Sequence, residues 1–110
     1  MALLKNADGT KKEIVDGHAY VIERSRLVEQ IRIRLHPRYI NYLEVVVVFK
    51  TGNVLFSDYN DSRKCLSLIK RHNFINLPIT FECKVYSYVP GKYTIIKNDK
   101  KNRLQIVEVK

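Results

Sequence analysis

The run SRKCLSLIKRH, residues 62–72, is the most regular amphipathic stretch in the chain. At about 100° per residue, Cys65, Leu66, Leu68, Ile69 and His72 gather on one side of a helix. Arg63, Lys64, Ser67, Lys70 and Arg71 gather opposite. Asp61 or Ser62 supplies an N-cap, which predicts a helix over about 61–73. Just before it, LEVVVVFK and NVLFSD flank Lys50-Thr51-Gly52-Asn53. β-Branched density on both sides of a Gly-containing turn predicts an antiparallel hairpin. The four valines suit a central strand covered on both faces.

Elsewhere the pattern is mostly one of short strands. ALLK and TKKEIV bracket Asp8-Gly9, a hairpin signal, and AYVIE at 19–23 is strand-like. ITFECKVYSYV, KYTIIK and RLQIVEV predict three closing strands, with a type II turn at Pro90-Gly91 and a second connection over 98–102. Along 79–89, Ile79, Phe81, Cys83, Val85 and Val89 alternate as an inward face, and Thr80, Glu82, Lys84, Tyr86 and Tyr88 point outward.

Residues 25–36, SRLVEQIRIRLH, admit two readings. As a helix over about 25–35, Ser25 caps it, Leu27, Val28, Ile31 and Leu35 share a face, and Pro37 ends it. As a strand, Ile31, Ile33 and Leu35 point one way and Arg32, Arg34 and His36 the other. Ile33 arbitrates, since the helix exposes it and the strand buries it. The helix is the reading adopted. The expected fold is α+β, an antiparallel sheet of six to seven strands with one clear helix and this second one. If 29–36 is a strand instead, the element order resembles that of an oligonucleotide-binding (OB) barrel.

The length of 110 residues and 45% hydrophobic content suit a single self-folding domain, 1–110. No apolar run approaches the roughly 20 residues of a membrane span, and Lys5 interrupts the short apolar start where a signal peptide would lie. Cys65 and Cys83 sit among apolar residues without a disulfide framework, which suits a reduced, intracellular protein. The cysteines and three histidines show neither CxxC nor HxxxH spacing, and the four glycines form no phosphate-binding loop. No metal or cofactor is expected.

Charge changes the picture most. The net charge is +9, and residues 61–110 carry eleven Lys/Arg against four Asp/Glu, whereas residues 1–60 carry nine against seven. A solvent face with four cations and no acid, as on the 62–72 helix, is suited to a phosphate backbone, with Ser67 adding a hydroxyl contact. Tyr86 and Tyr88, with Lys84 beside them and Lys92 past the turn, could form a platform on which bases stack while lysines hold the backbone. Tyr39 and Tyr42 in HPRYINY are a weaker version of the same pattern.

Glu82-Cys83-Lys84, preceded by Asp58 or Asp61, resembles the ExK element of metal-dependent nucleases with a PD-(D/E)xK core. The resemblance implies carboxylates holding Mg²⁺ and a lysine at the scissile phosphate. The chain departs from it in the helix between aspartate and ExK and in the absence of Pro before the aspartate. Cys65 and His72 lie two turns apart on one helix, too far for proton transfer.

The leading expectation is a non-enzymatic nucleic-acid-binding protein, for DNA or RNA, contacting phosphates through Arg63, Lys64, Ser67, Lys70 and Arg71 and bases or backbone through Lys84, Tyr86, Tyr88 and Lys92. The alternative is a protein-interaction module, a phage- or virus-type inhibitor or assembly adaptor, docking on an acidic partner. An exposed edge at RLQIVEV would also allow a homodimer.

Overall fold

The computed structural model describes residues 2–72 and 74–109. Its strands are β1 (Ala2–Lys5), β2 (Lys11–Val15), β3 (Val28–Leu35), β4 (Leu43–Phe49), β5 (Val54–Tyr59), β6 (Ile79–Phe81), β7 (Gly91–Asn98) and β8 (Arg103–Glu108). Two helices, α1 (Gly17–Glu23) and α2 (Ser62–Arg71), complete an α+β domain. All eight strands join one sheet in the order β2-β1-β5-β4-β3-β6-β7-β8.

Two expected hairpins form where the turn chemistry placed them. Gly9 (φ +88°) turns β1 into β2, and Asp8 braces the loop by accepting from the Thr10 N–H and hydroxyl at 2.9 and 2.6 Å. Gly52 (φ +92°) turns β4 into β5, and a Cβ there would lie 2.7 Å from that of Ala7. The position therefore needs glycine both for its left-handed backbone and for the close approach of the two hairpins. Val45, Val46 and Val47 are all buried, as expected of a central strand.

The 25–35 helix is not what forms. Residues 25–27 make a single 3-10 turn, and β3 follows. Ile31 and Ile33, two apart, are both fully buried against the core, a spacing that a helix cannot put on one face. Arg32 and Arg34 point away from it, where Glu82 and Glu44 accept from them at 2.9 and 2.8 Å. Conversely, the expected strand at 19–23 belongs to α1. Asp16 caps this helix by accepting from the His18 and Ala19 N–H groups, and Tyr20 and Val21 turn inward. The local alternation of AYVIE yields to a strong N-cap and to the edge-on packing of Tyr20 on Phe49.

The sheet is mixed rather than antiparallel, because β6 runs parallel to β3. β5 and β6 thus point the same way, and α2 is the crossover that such a connection requires. Both helices pack on one face of the sheet, in one apolar cluster that runs from Leu4 through Ile33 and Ile69 to Ile106. The eight strands exceed the expected six to seven, and the sheet is open instead of an OB-like barrel: β2 and β8 are separate edges.

The predicted strand 79–89 stops at Phe81. After a bend, Val85 and Tyr88 pair across a tight turn with reciprocal backbone bonds of 3.0 and 2.9 Å, and Tyr86 takes φ +54°. Gly91 does not adopt positive φ and is the first residue of β7, so the expected type II turn at Pro90-Gly91 is absent. The reversal is made at Tyr86-Ser87. No helix among the described residues is long and apolar enough to cross a membrane.

Candidate nucleic-acid interface

α2 is built as its pattern implied. Asp61 accepts from the Arg63 N–H at 2.8 Å and starts the helix. Cys65, Leu66, Leu68 and Ile69 are buried, while Arg63, Lys64, Ser67, Lys70 and Arg71 are exposed. The cations divide by electrostatic role. Lys70 and Arg71 lie in the last turn, where they complement the negative end of the helix dipole. Arg63 and Lys64 lie in the first turn, which holds no acid and where a cation opposes the dipole. Helix stability explains the first pair and not the second.

The turn 85–88 brings an aromatic ring to this face. Tyr86 is half exposed, and the Arg63 guanidinium carbon lies 5.2 Å from its ring centroid. A bulky residue in the left-handed region costs about 1–2 kcal/mol and persists only when its surroundings enforce it. Here Val85 is fully buried and Tyr88 is wedged against Phe81 and Tyr93, ring centroids 5.5 Å away in each case. The two tyrosines expected on one outward face therefore separate: Tyr86 is presented, and Tyr88 packs into the wall.

At the other end of α2, the curl of the sheet brings its last strand round to the helix. Lys70, Tyr88, Lys101 and Arg103 line a cleft of about 430 Å³ together with Leu104, Gln105 and Ile106. Among the described residues, no carboxylate lines it. The ion pairs among the described residues use Arg24, Arg32, Arg34 and His36, and none uses a cation from Arg63 onward. Of the remaining expected residues, Lys84 is exposed in the bend after β6. Lys92 is elsewhere: its register through Thr80 to Arg32 puts it on the sheet face opposite α2.

His72 is half-buried, and its Nε2 is buried with no hydrogen-bond partner among the described residues. Burial, the nearby His18 ring and the Arg71 charge together pull its pKa below the ordinary histidine value. Burial pushes the Cys65 thiol up to about 12, with Cys83 and Asp61 adding to the effect. Both cysteines are free.

Sequence reading missed a polar cluster on the far face. Arg34 pairs with Glu44 at 2.6 Å, and His36 Nε2 lies 2.9 Å from Asp58 and 3.8 Å from Glu44. The available signal was Glu44, the one acid in a strand otherwise made of apolar residues. His36, Glu44 and Asp58 bring their donor atoms within 4.8 Å of one another, close enough to suggest a metal cage. Their hydrogen bonds argue against one. His36 Nδ1 accepts from the Arg38 and Tyr39 N–H groups at 3.0 and 3.1 Å, which leaves the ring proton on Nε2, facing Asp58. A ligating histidine instead donates from its second nitrogen. Glu44 is already neutralised by Arg34 and Asp58 is engaged by His36, so the groups of the cluster satisfy one another.

The nuclease-like set does not assemble either. Asp58 is on β5, Glu82 follows β6 with β4 and β3 between, and Glu82 is held by Arg32 while Asp61 caps α2. Comparison with known proteins finds no matching family model, no matching curated protein and no matching solved structure.

Proposed function

We propose that this chain is a nucleic-acid-binding module that grips the phosphate backbone through the outer face of α2. Arg63, Lys64, Lys70 and Arg71 supply the charge, Ser67 a central hydroxyl, and Tyr86 a ring on which an unpaired base can stack. One observation carries the reading: the first turn of α2 holds two exposed cations against its own dipole, one of them seated on an exposed tyrosine. Such an arrangement costs the fold stability and suits a polyanion. Lys101 and Arg103 extend the same positive field past Lys70. Lys92 is left out of the interface, and Tyr88 contributes as wall instead of platform. The two buried free thiols fit a reducing, intracellular setting.

The test is fluorescence-anisotropy binding to random-sequence single- and double-stranded oligonucleotides. Replacing Arg63, Lys64, Lys70 and Arg71 by Glu should abolish binding with an unchanged circular dichroism spectrum. Affinity that survives in a folded variant overturns the proposal.

A further inference from the structure

The edge strand β8 carries features that phosphate binding does not use. Its hydrogen-bond phase follows from one contact: the Val109 N–H donates to the Lys92 carbonyl at 2.9 Å. In an antiparallel ladder the pairs that exchange bonds alternate with pairs that do not. Counting back along the unbroken β7–β8 register, Val107, Gln105 and Arg103 bond to Thr94, Ile96 and Asn98. Leu104, Ile106 and Glu108 therefore aim their N–H and C=O groups away from β7, and no other described residue bonds to those groups.

The sheet's two edges differ in how they are guarded. β2 is five residues long, carries exposed Lys11, Lys12 and Glu13, and meets β1 through an irregular register at Leu4/Lys5. Lysines and bulges of this kind discourage strand addition. β8 runs straight over six residues, without proline or bulge, and buries Ile106 at its middle. Beside it lies the cleft of about 430 Å³, lined by cations from α2 (Lys70), the β7–β8 turn (Lys101) and β8 itself (Arg103).

We propose that β8 accepts an extended acidic peptide as a ninth strand. Its backbone pairs with Leu104, Ile106 and Glu108, while carboxylates at alternate positions enter the cleft toward Lys70 and Lys101. A second copy of this chain fits worse. Pairing two β8 edges brings two such cationic groups together between molecules that each carry a net +9. The inference stands on the edge and the cleft, and does not depend on the nucleic-acid reading.

The experiment uses a blocked eight-residue peptide alternating Glu and Val, with the full chain, followed by residue-resolved amide exchange. Binding should slow exchange at the Leu104, Ile106 and Glu108 amides at least tenfold, whereas a random oligonucleotide of equal charge should leave those amides fast. The same peptide N-methylated at alternate residues keeps its charge and loses the ladder; it should bind at least tenfold more weakly. Two substitutions separate strand pairing from charge attraction. Glu108→Gln removes a repelling carboxylate and should tighten the peptide. Glu108→Pro removes the same carboxylate together with one outward N–H, and should weaken it relative to Glu108→Gln. Equal binding of the N-methylated peptide, absent protection at the three amides, or a doubled solution mass with β8 protected in the protein alone would each overturn the proposal.

Discussion

The salt dependence of oligonucleotide binding puts a number on the α2 interface. Arg63, Lys64, Lys70 and Arg71 are all exposed and outside every ion pair among the described residues. Each is thus free to neutralise one phosphate and release its counterion. With four contacts, the slope of log affinity against log salt is about −3.6 for duplex DNA and about −2.8 for a single strand. Raising monovalent salt fourfold, from about 50 to about 200 mM, then lowers affinity roughly 150-fold or 50-fold respectively. Replacing any one of the four by Gln should flatten the slope by about 0.9 or 0.7. The same variants test the assignment of roles through stability. Lys64→Gln removes a cation from the unfavourable end of the dipole and should stabilise the fold by a few tenths of a kcal/mol, whereas Lys70→Gln and Arg71→Gln should each cost about 0.3–1 kcal/mol. The assay is anisotropy titration at four salt concentrations, with urea unfolding alongside. A slope shallower than about −1, or one that the substitutions leave unchanged, refutes the reasoning.

Other consequences are as direct. Ile33→Ala should cost about 2–5 kcal/mol in urea unfolding, whereas Leu35→Ala, at a position 67% exposed, should change stability by less than about 0.5 kcal/mol. Arg34→Ala leaves the buried Glu44 carboxylate without its cation and should destabilise more than Glu44→Gln, by about 1 kcal/mol or more in the same assay. Because the folded His72 pKa lies below the unfolded value of about 6.5, the unfolded chain binds more protons in acid. Stability is therefore full above that value and declines as pH falls below it toward the folded pKa. His72→Leu should reduce the decline, read as the urea midpoint between pH 7.5 and 5. With its pKa raised to about 12, the Cys65 thiol should resist an aromatic disulfide reagent at pH 8 in the native protein and react once urea unfolds it.

Legibility in the sequence followed the distance over which each decision is made. α2 was readable because its cap, its buried residues and its exposed cations all lie within eleven consecutive positions, and one period accounts for them. The valine hairpin was readable for the same reason, since β-branched density and a glycine turn are local. The stretch 28–35 was not. Its Ile and Arg positions suit a helix nearly as well as a strand, and the contest is decided by pairing with β4 and with the distant β6, which buries Ile31 and Ile33. The 79–89 alternation misled because sheet pairing ends at Phe81, after which Val85 and Tyr88 find a better burial by folding back on each other.

By itself, then, the chain's order of residues determined an α+β domain, two of its turns, an amphipathic helix and a surplus of cations toward the C-terminus. Tertiary structure alone decided which cations share a surface. It set Arg63 against Tyr86, drew Lys70 toward Lys101 and Arg103, sent Lys92 to the opposite face, and joined Arg34, His36, Glu44 and Asp58 into a network. The physical reason is that periodicity fixes where a side chain points relative to its own element. What it then meets depends on how strands remote in sequence are ordered in the sheet and how that sheet curls.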